Sequence, residues 1–306
     1  MPRLDEPTNP ITPTLKGLHL FHFDGAPCAQ RVRFALGEKG LSRGREVKFD
    51  AHRPEAIAGE SGRWVSRIVS LVKKHHLTPG YAQIHPNMVV PALVHDGTLY
   101  LESMDIIAYL DEAFSGAPLI PAEAALRAAT WKRVEEAKVL HLSIRYVTFH
   151  WGLGRLAMLS AKERRDLKQV ATRGDDGENL VSFYDAYSER AIPGLVFEGH
   201  LRKLFDAFQD LELPLGDGRQ FLMSDDVSIA DAFWAMKVLR LLECGYPFME
   251  RHPVLYAWYE RVAQRPSFQN EVMGKNRLSH HLFRMKARVE SAFGKGITRA
   301  LDKIAA

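Results

Sequence analysis

Residues 90 to 103, Val-Pro-Ala-Leu-Val-His-Asp-Gly-Thr-Leu-Tyr-Leu-Glu-Ser, constrain the fold of this chain more than any other stretch. Two short β-forming runs, Ala92 to Val94 and Thr98 to Leu101, flank His95-Asp96-Gly97. Asp-Gly favours a tight turn because glycine accepts a positive φ without steric cost, so the spacing predicts an antiparallel hairpin. Pro91 stands at the start of the first strand, where a missing ladder donor is tolerated and where a cis bond is compatible with the sequence. Beyond the hairpin, Met104, Ile106, Ile107, Leu110 and Phe114 recur at helical spacing, with Ser103 near the N-cap. A hydroxyl, the Glu102 carboxylate and backbone N–H groups therefore meet at one helix N-terminus. That combination suits a small zwitterion: the N–H groups and hydroxyl take its carboxylate, and Glu102 takes its ammonium.

The chain ahead of the hairpin begins with four prolines in residues 1–16, which predicts an irregular arm. Leu18 to Phe23 alternates as a strand does, and its two histidines, His19 and His22, are read as partly exposed strand positions and not as metal ligands. Asp24-Gly25-Ala26-Pro27-Cys28 then turns strand into helix, with Pro27 in the first helical turn and the helix closing near Glu38-Lys39-Gly40. Arg45 to Asp50 reads as a second strand. In the following segment Trp64, Val65, Ile68, Val69, Leu71 and Val72 fall on one helical face opposite Arg63, Arg67, Lys73 and Lys74, which predicts an inserted amphipathic helix within about residues 51–80. His75-His76 is read as a solvated pair.

Val90-Pro91 and Glu102-Ser103, in this order and at this separation, resemble the cytosolic glutathione transferase family. In that family a Val-Pro with a cis proline bonds the cysteinyl backbone of glutathione, and a Glu-Ser or Gln-Ser pair holds its γ-glutamyl end. The resemblance implies an α/β, thioredoxin-like glutathione-binding domain over residues 17–114. Its glutathione contacts are expected at Val90, Pro91, Glu102 and Ser103, with Gln83 and Lys39 as helpers. The thiol-activating serine of delta-, theta- and zeta-like members falls on Gly25 or Ala26, and neither has a hydroxyl. Cys28 remains on that loop. In hydroquinone dehalogenases of the family a cysteine here is a nucleophile, whereas in many serine members it is a packed structural residue, and both readings stay open. A thiol needs about 2.7 kcal/mol to lower its pKa by roughly two units, and a helix N-terminus contributes about 0.3–1 kcal/mol, ~2 at best. The candidate catalytic set is therefore Cys28 with backbone donors near Gly25 and Ala26, or a cation such as Arg31 or Arg33.

Gly116, Pro118 and Pro121 mark residues 115–123 as a linker, after which the pattern is helical. Leu126 to Trp151 reads as one long helix. Its aromatic end, Tyr146, Phe149, His150 and Trp151, faintly resembles the corresponding helix of dichloromethane dehalogenase, which implies pocket walls at Tyr146, His150 and Trp151. Tyr184 and Tyr187 are secondary pocket candidates, and Gly174 to Gly177 reads as an exposed loop. Ser228-Ile229-Ala230-Asp231 opens an apolar run with a capping-box spacing, and the same Ser-x-Ala-Asp is a hallmark of the transferases, where it is a folding device. The resemblance implies an all-α substrate domain over residues 124–274. In residues 275–306, Leu278, Leu282, Val289, Phe293, Ile297 and Leu301 predict a helical extension packed across the body, with a membrane-surface helix as the lesser reading.

Composition sets the outer limits. With 46% apolar and 25% charged residues in 306, the chain is an ordinary globular protein. A net charge of +4 is too mild to require nucleic acid. Two cysteines, Cys28 and Cys244, make no disulfide framework, and no apolar run approaches a membrane span, so the expectation is a cytoplasmic protein. The resemblance implies an enzyme with glutathione as co-substrate, attacking a small hydrophobic or aromatic electrophile in conjugation, aryl-ether cleavage or dehalogenation. It also implies a homodimer. Two alternatives remain: a Cys28-dependent, glutathione-linked reductase or dehalogenase, and a non-catalytic protein of the same fold that binds glutathione or another ligand, for which pairing as one half of a heterodimer stays open.

Overall fold

A single sheet organises the N-terminal part in the order β1-β6-β5-β2-β4-β3. Its strands are β1 Arg3–Leu4, β2 Leu18–His22, β3 Ser42–Lys48, β4 Arg63–Ile68, β5 Ala92–His95 and β6 Thr98–Tyr100. The helices are α1 Pro27–Glu38, α2 Pro79–Ala82, α3 Ser103–Ala113, α4 Ala124–Val139, α5 His141–Val147, α6 Ala161–Val170 and α7 Asp175–Ser188. They continue with α8 Gly194–Leu215, α9 Ile229–Glu243, α10 Phe248–Arg251, α11 Pro253–Gln264, α12 Arg277–Ala292 and α13 Ile297–Ala305. This computed structural model describes residues 3–4, 9–49, 58–170 and 175–305.

The chain divides into two compact units. The first takes Met1–Gly116 together with Met158–Ala191, and the second takes Ala117–Ala157 and Ile192–Ala306. Residues 158–191 therefore group with the sheet, although their sequence reads as part of the helical region. The reason is a local apolar cluster in which Leu77 and Met88 pack with Leu159, Leu167 and Leu180.

In the first unit the expected hairpin is present, with β5 and β6 paired antiparallel as Leu93↔Tyr100 and Val94↔Leu99. Asp96 and Gly97 turn it with φ of 46° and 83°. Gly97 is required twice over, because a Cβ there would lie 2.6 Å from the Pro13 carbonyl oxygen. Pro27 opens α1 as expected, while part of the N-terminal arm is ordered as β1 and a 3₁₀ turn at Thr12–Thr14.

Residues 63–68, expected within a helix, form β4 instead, running parallel to both β2 and β3. A strand between parallel neighbours is covered on both faces and loses the alternation that marks a half-exposed strand. Trp64, Val65, Ser66 and Arg67 are all buried. Arg67 imitates the polar face of a helix in the sequence, but its Nε donates to His19 Nδ1 at 3.1 Å and its guanidinium lies over the Phe21 ring. Residues 51–57 of the expected insertion lie outside the described residues. His19 and His22, expected to be partly exposed, are fully buried. His22 Nε2 donates to Ser66 Oγ at 2.8 Å. His76 is buried as well, not solvated.

In the second unit α9 is buried along its whole length. Asp231 anchors it, accepting from Leu222 N (2.9 Å), Trp258 Nε1 (2.8 Å), and the N–H and hydroxyl of Ser228 (2.8 Å each). The long helix expected over 126–151 is broken at Leu140 into α4 and α5 and ends in a π-helical turn, Thr148–Leu153. The expected loop at 174–177 is helical from Asp175 onward, and Gly174 lies outside the described residues. The C-terminal extension is two helices, α12 and α13. Among the described residues no helix is long and apolar enough to cross a membrane.

Candidate functional site

Register brings three segments of the first unit to one end of the sheet. Phe21 pairs with Ala92 and Leu93 pairs with Tyr100. The loop after β2, the residues before β5 and the residues after β6 must therefore emerge side by side. They are Phe23 to Cys28, Val90-Pro91 and Glu102-Ser103. Neighbouring strands lie about 4.8 Å apart, so the two outer segments are separated by about 10 Å across the β5 end.

The middle segment carries a cis peptide bond between Val90 and Pro91. Val90 precedes the ladder, so strand pairing does not use its N–H and carbonyl. Fully buried Tyr81 fixes this segment by donating its hydroxyl to the Val89 carbonyl at 2.8 Å. Sequence reasoning missed Tyr81, since nothing in its local pattern shows which carbonyl it reaches.

At the third segment Glu102 is the N-cap of α3 and Ser103 its first residue. Glu102 is exposed, Ser103 buried. The Glu102 backbone has φ 59° and ψ 121°, a conformation that L residues rarely adopt and that is found most often at ligand sites. It aims the first N–H groups of α3, which lack intrahelical acceptors, toward the same end of the sheet.

The first segment is braced by a buried arginine. Arg33 donates to the carbonyls of Phe23 (3.3 Å) and Asp24 (2.8 Å) and to His22 Nδ1 (3.1 Å). Arg43 donates to Asp24 Oδ1 at 2.6 Å. Ala26 donates its N–H to the Phe23 carbonyl at 3.1 Å, so that donor, a candidate for thiol activation, is committed to the turn. Gly25 contributes backbone alone. Cys28 is the second residue of α1 and is partly exposed, and Arg31 one turn on donates its guanidinium to Cys28 Sγ at 2.7 Å. A helix N-terminus and a guanidinium both favour a thiolate over a thiol.

Two helper assignments fare differently. Lys39 is the C-cap of α1, about 18 Å along the helix from its start, and its ammonium is buried against Asp111 at 2.8 Å. It is thereby removed from the Cys28 end of the unit. Gln83 sits exposed at the C-cap of α2. Of the pocket candidates, Tyr184 and Tyr187 pack on Phe183 in the first unit, with the Tyr187 ring stacked on it. In the second unit Tyr146 stacks on His200 (4.2 Å) and His150 on Phe197 (4.1 Å), while Trp151 is buried. Among the described residues no group of three or more His, Cys, Asp or Glu is placed to hold a metal ion.

Comparison with known proteins bears on the family and the fold. A glutathione S-transferase N-terminal domain matches residues 20–118, and a glutathione S-transferase C-terminal domain matches residues 184–261. Glutathione S-transferase 1 of Dianthus caryophyllus is 28% identical over 72% of this chain and 76% of its own length. The 2,5-dichlorohydroquinone reductive dechlorinase of Sphingobium indicum is 27% identical over 83% of this chain and 82% of its own. Among solved structures, the β-etherase LigF from a Sphingobium species superposes with a TM-score of 0.67 at 21% identity, covering 83% of this chain and 98% of that one. Both domain matches, with the sheet of the first unit and the helices of the second, place this chain in the glutathione S-transferase family of enzymes.

Proposed function

We propose that the protein binds glutathione in an extended conformation along Val90 and uses its thiolate to displace a leaving group from a small hydrophobic or aromatic electrophile. The observation that carries this reading is the convergence of three segments across about 10 Å, which is the span of an extended tripeptide. The γ-glutamyl carboxylate takes Ser103 and the N–H groups of α3, its ammonium takes Glu102, and the cysteinyl backbone takes Val90. The thiol then reaches the start of α1, where Cys28 and Arg31 stand in place of an activating serine. Holding the thiolate and excluding water from it supplies the proximity such a displacement needs. By resemblance to the family the protein works as a cytoplasmic homodimer.

The Arg31 contact favours a second reading, in which Cys28 is itself a nucleophile. Its thiolate attacks the glutathione sulfur of a thioether intermediate. The carbon–sulfur bond breaks, the carbon takes a proton and is reduced, and a Cys28–glutathione disulfide forms, which a second glutathione thiol resolves. A dechlorinase among the relatives supports it.

Calorimetric titration of glutathione into the wild type and into Glu102→Ala/Ser103→Ala tests the site, with saturable binding expected in the first and lost in the second. No binding to the wild type sinks the proposal. With halogenated hydroquinones and aryl ethers as electrophiles, Cys28→Ala separates the two readings: retained turnover selects the glutathione thiolate alone, and arrest at the thioether selects Cys28.

A further inference from the structure

The C-terminal extension packs with its apolar face turned outward. On α12, Leu278, Leu282, Met285 and Val289 follow one another at spacings of four, three and four residues and so form one stripe, which Phe293 extends just past the helix. All five are exposed, by 70%, 58%, 43%, 53% and 74% in turn. The side that meets the body is built from small and polar groups. Ala287 is buried against Gly245, where a Cβ would approach it to 2.9 Å, and His280 lies 3.1 Å from the Glu243 carboxylate. Packing alone would place the leucines inward, as α13 does with Ile297 and Leu301, which are buried. α13 also ties the extension down through Lys303 to Glu198 (3.0 Å) and through Asp302 to Arg251. The outward stripe is therefore held in place by a docked anchor.

The rim of the stripe is cationic. Arg277, His281, Arg284 and Arg288 fall together on one flank of it, and Lys295 follows Phe293. Glu290, the helix's one acidic residue, lies beyond the other flank and is paired with Lys286 at 2.7 Å. A second copy docked through the same stripe would bring one basic rim near another with no acidic counterpart, which disfavours self-association. An apolar ridge beside a basic flank, on a helix of about 24 Å, matches a helix lying in the headgroup plane of an anionic bilayer. We propose that α12 is a membrane-surface helix that docks this protein on anionic lipid, leaving its hydrophobic electrophiles to be drawn from that surface.

Co-sedimentation of the purified full-length chain with vesicles of equal parts phosphatidylglycerol and phosphatidylcholine tests the proposal. The wild type is expected to bind these, to bind pure phosphatidylcholine far less, and to be released by salt. Leu282→Ser/Val289→Ser should weaken binding about a hundredfold, at about tenfold for each side chain withdrawn from lipid. Arg288→Gln/Lys295→Gln should weaken it about 25-fold, at about fivefold per charge. All four residues are exposed, so the melting temperatures should not move. Absence of wild-type binding, or binding unchanged by the apolar pair, overturns the proposal. So does a wild-type dimer in sedimentation velocity that Leu282→Ser/Val289→Ser converts to monomer, which would give the stripe to a second copy.

Discussion

Glu102→Gly should make the protein more stable and a poorer binder of glutathione at once. Glu102 holds φ 59° and ψ 121°. For a residue with a Cβ such a conformation costs about 1–3 kcal/mol. Glycine relieves most of that but loses about 0.5–1 kcal/mol more chain entropy on folding. The expected net is a gain of about 1 kcal/mol, or about 2–4 °C in melting temperature for a unit of this size. The same change removes the carboxylate assigned to the γ-glutamyl ammonium. A charge-assisted contact contributes about 1.5–3 kcal/mol, and because Glu102 is exposed the lower end applies, about tenfold in Kd. Glu102→Ala is the control: it keeps the Cβ and the strain, so it should lose the same affinity without the gain in stability. Urea unfolding and calorimetric titration on the three proteins read both quantities. A glycine variant less stable than wild type by 1 kcal/mol or more would refute the strain argument, and an unchanged Kd would refute the assignment of the ammonium.

Two further outcomes follow from buried polar groups. Asp231→Ala leaves the N–H groups of Leu222, Ser228 and Trp258 without their acceptor in the second unit, and should lower the urea-derived stability by about 3–5 kcal/mol; a loss below about 1 kcal/mol would mean that water replaces the carboxylate. Burial holds the His19 imidazole down at about 4 against an ordinary 6.5, and its Nδ1 accepts from Arg67 while its Nε2 donates to the Lys16 carbonyl, so the ring must stay neutral. Folding then favours the neutral form: the stabilisation is complete above pH 6.5 and falls as pH drops toward 4, by about 2 kcal/mol at pH 5, with His85, pushed down to about 4, adding in the same direction. Urea midpoints between pH 7 and 4.5 should drop steeply in the wild type and less in His19→Gln, and parallel slopes would disprove the role of His19.

Where a structural feature rests on local chemistry, it was legible in the sequence. The Asp96-Gly97 turn, Pro27 at the start of α1 and the Ser228–Asp231 cap each depend on residues a few positions apart, and each is present. β4 was not legible, because its pattern reports burial between two parallel strands and a charged residue, Arg67, sits inside it. Nor was the grouping of residues 158–191 with the sheet, since it depends on Leu159, Leu167 and Leu180 meeting Leu77 and Met88 from far along the chain.

The loop ahead of α1 shows where legibility stops and geometry decides. The sequence presents two arginines, Arg31 and Arg33, as equivalent cations beside Cys28, both on the helix that Pro27 opens. Their partners divide them. Arg33 is fully buried and spends its donors on the carbonyls of Phe23 and Asp24 and on His22, so it shapes the loop and has little left for a thiol. Arg31, one helical turn after Cys28, points its guanidinium at the sulfur. On the proposed reading this is how a loop without a hydroxyl at Gly25 or Ala26 still favours a thiolate. Hydrogen bonds to charged groups contribute about 1.5–3 kcal/mol, the scale of the shortfall that a helix N-terminus leaves by itself.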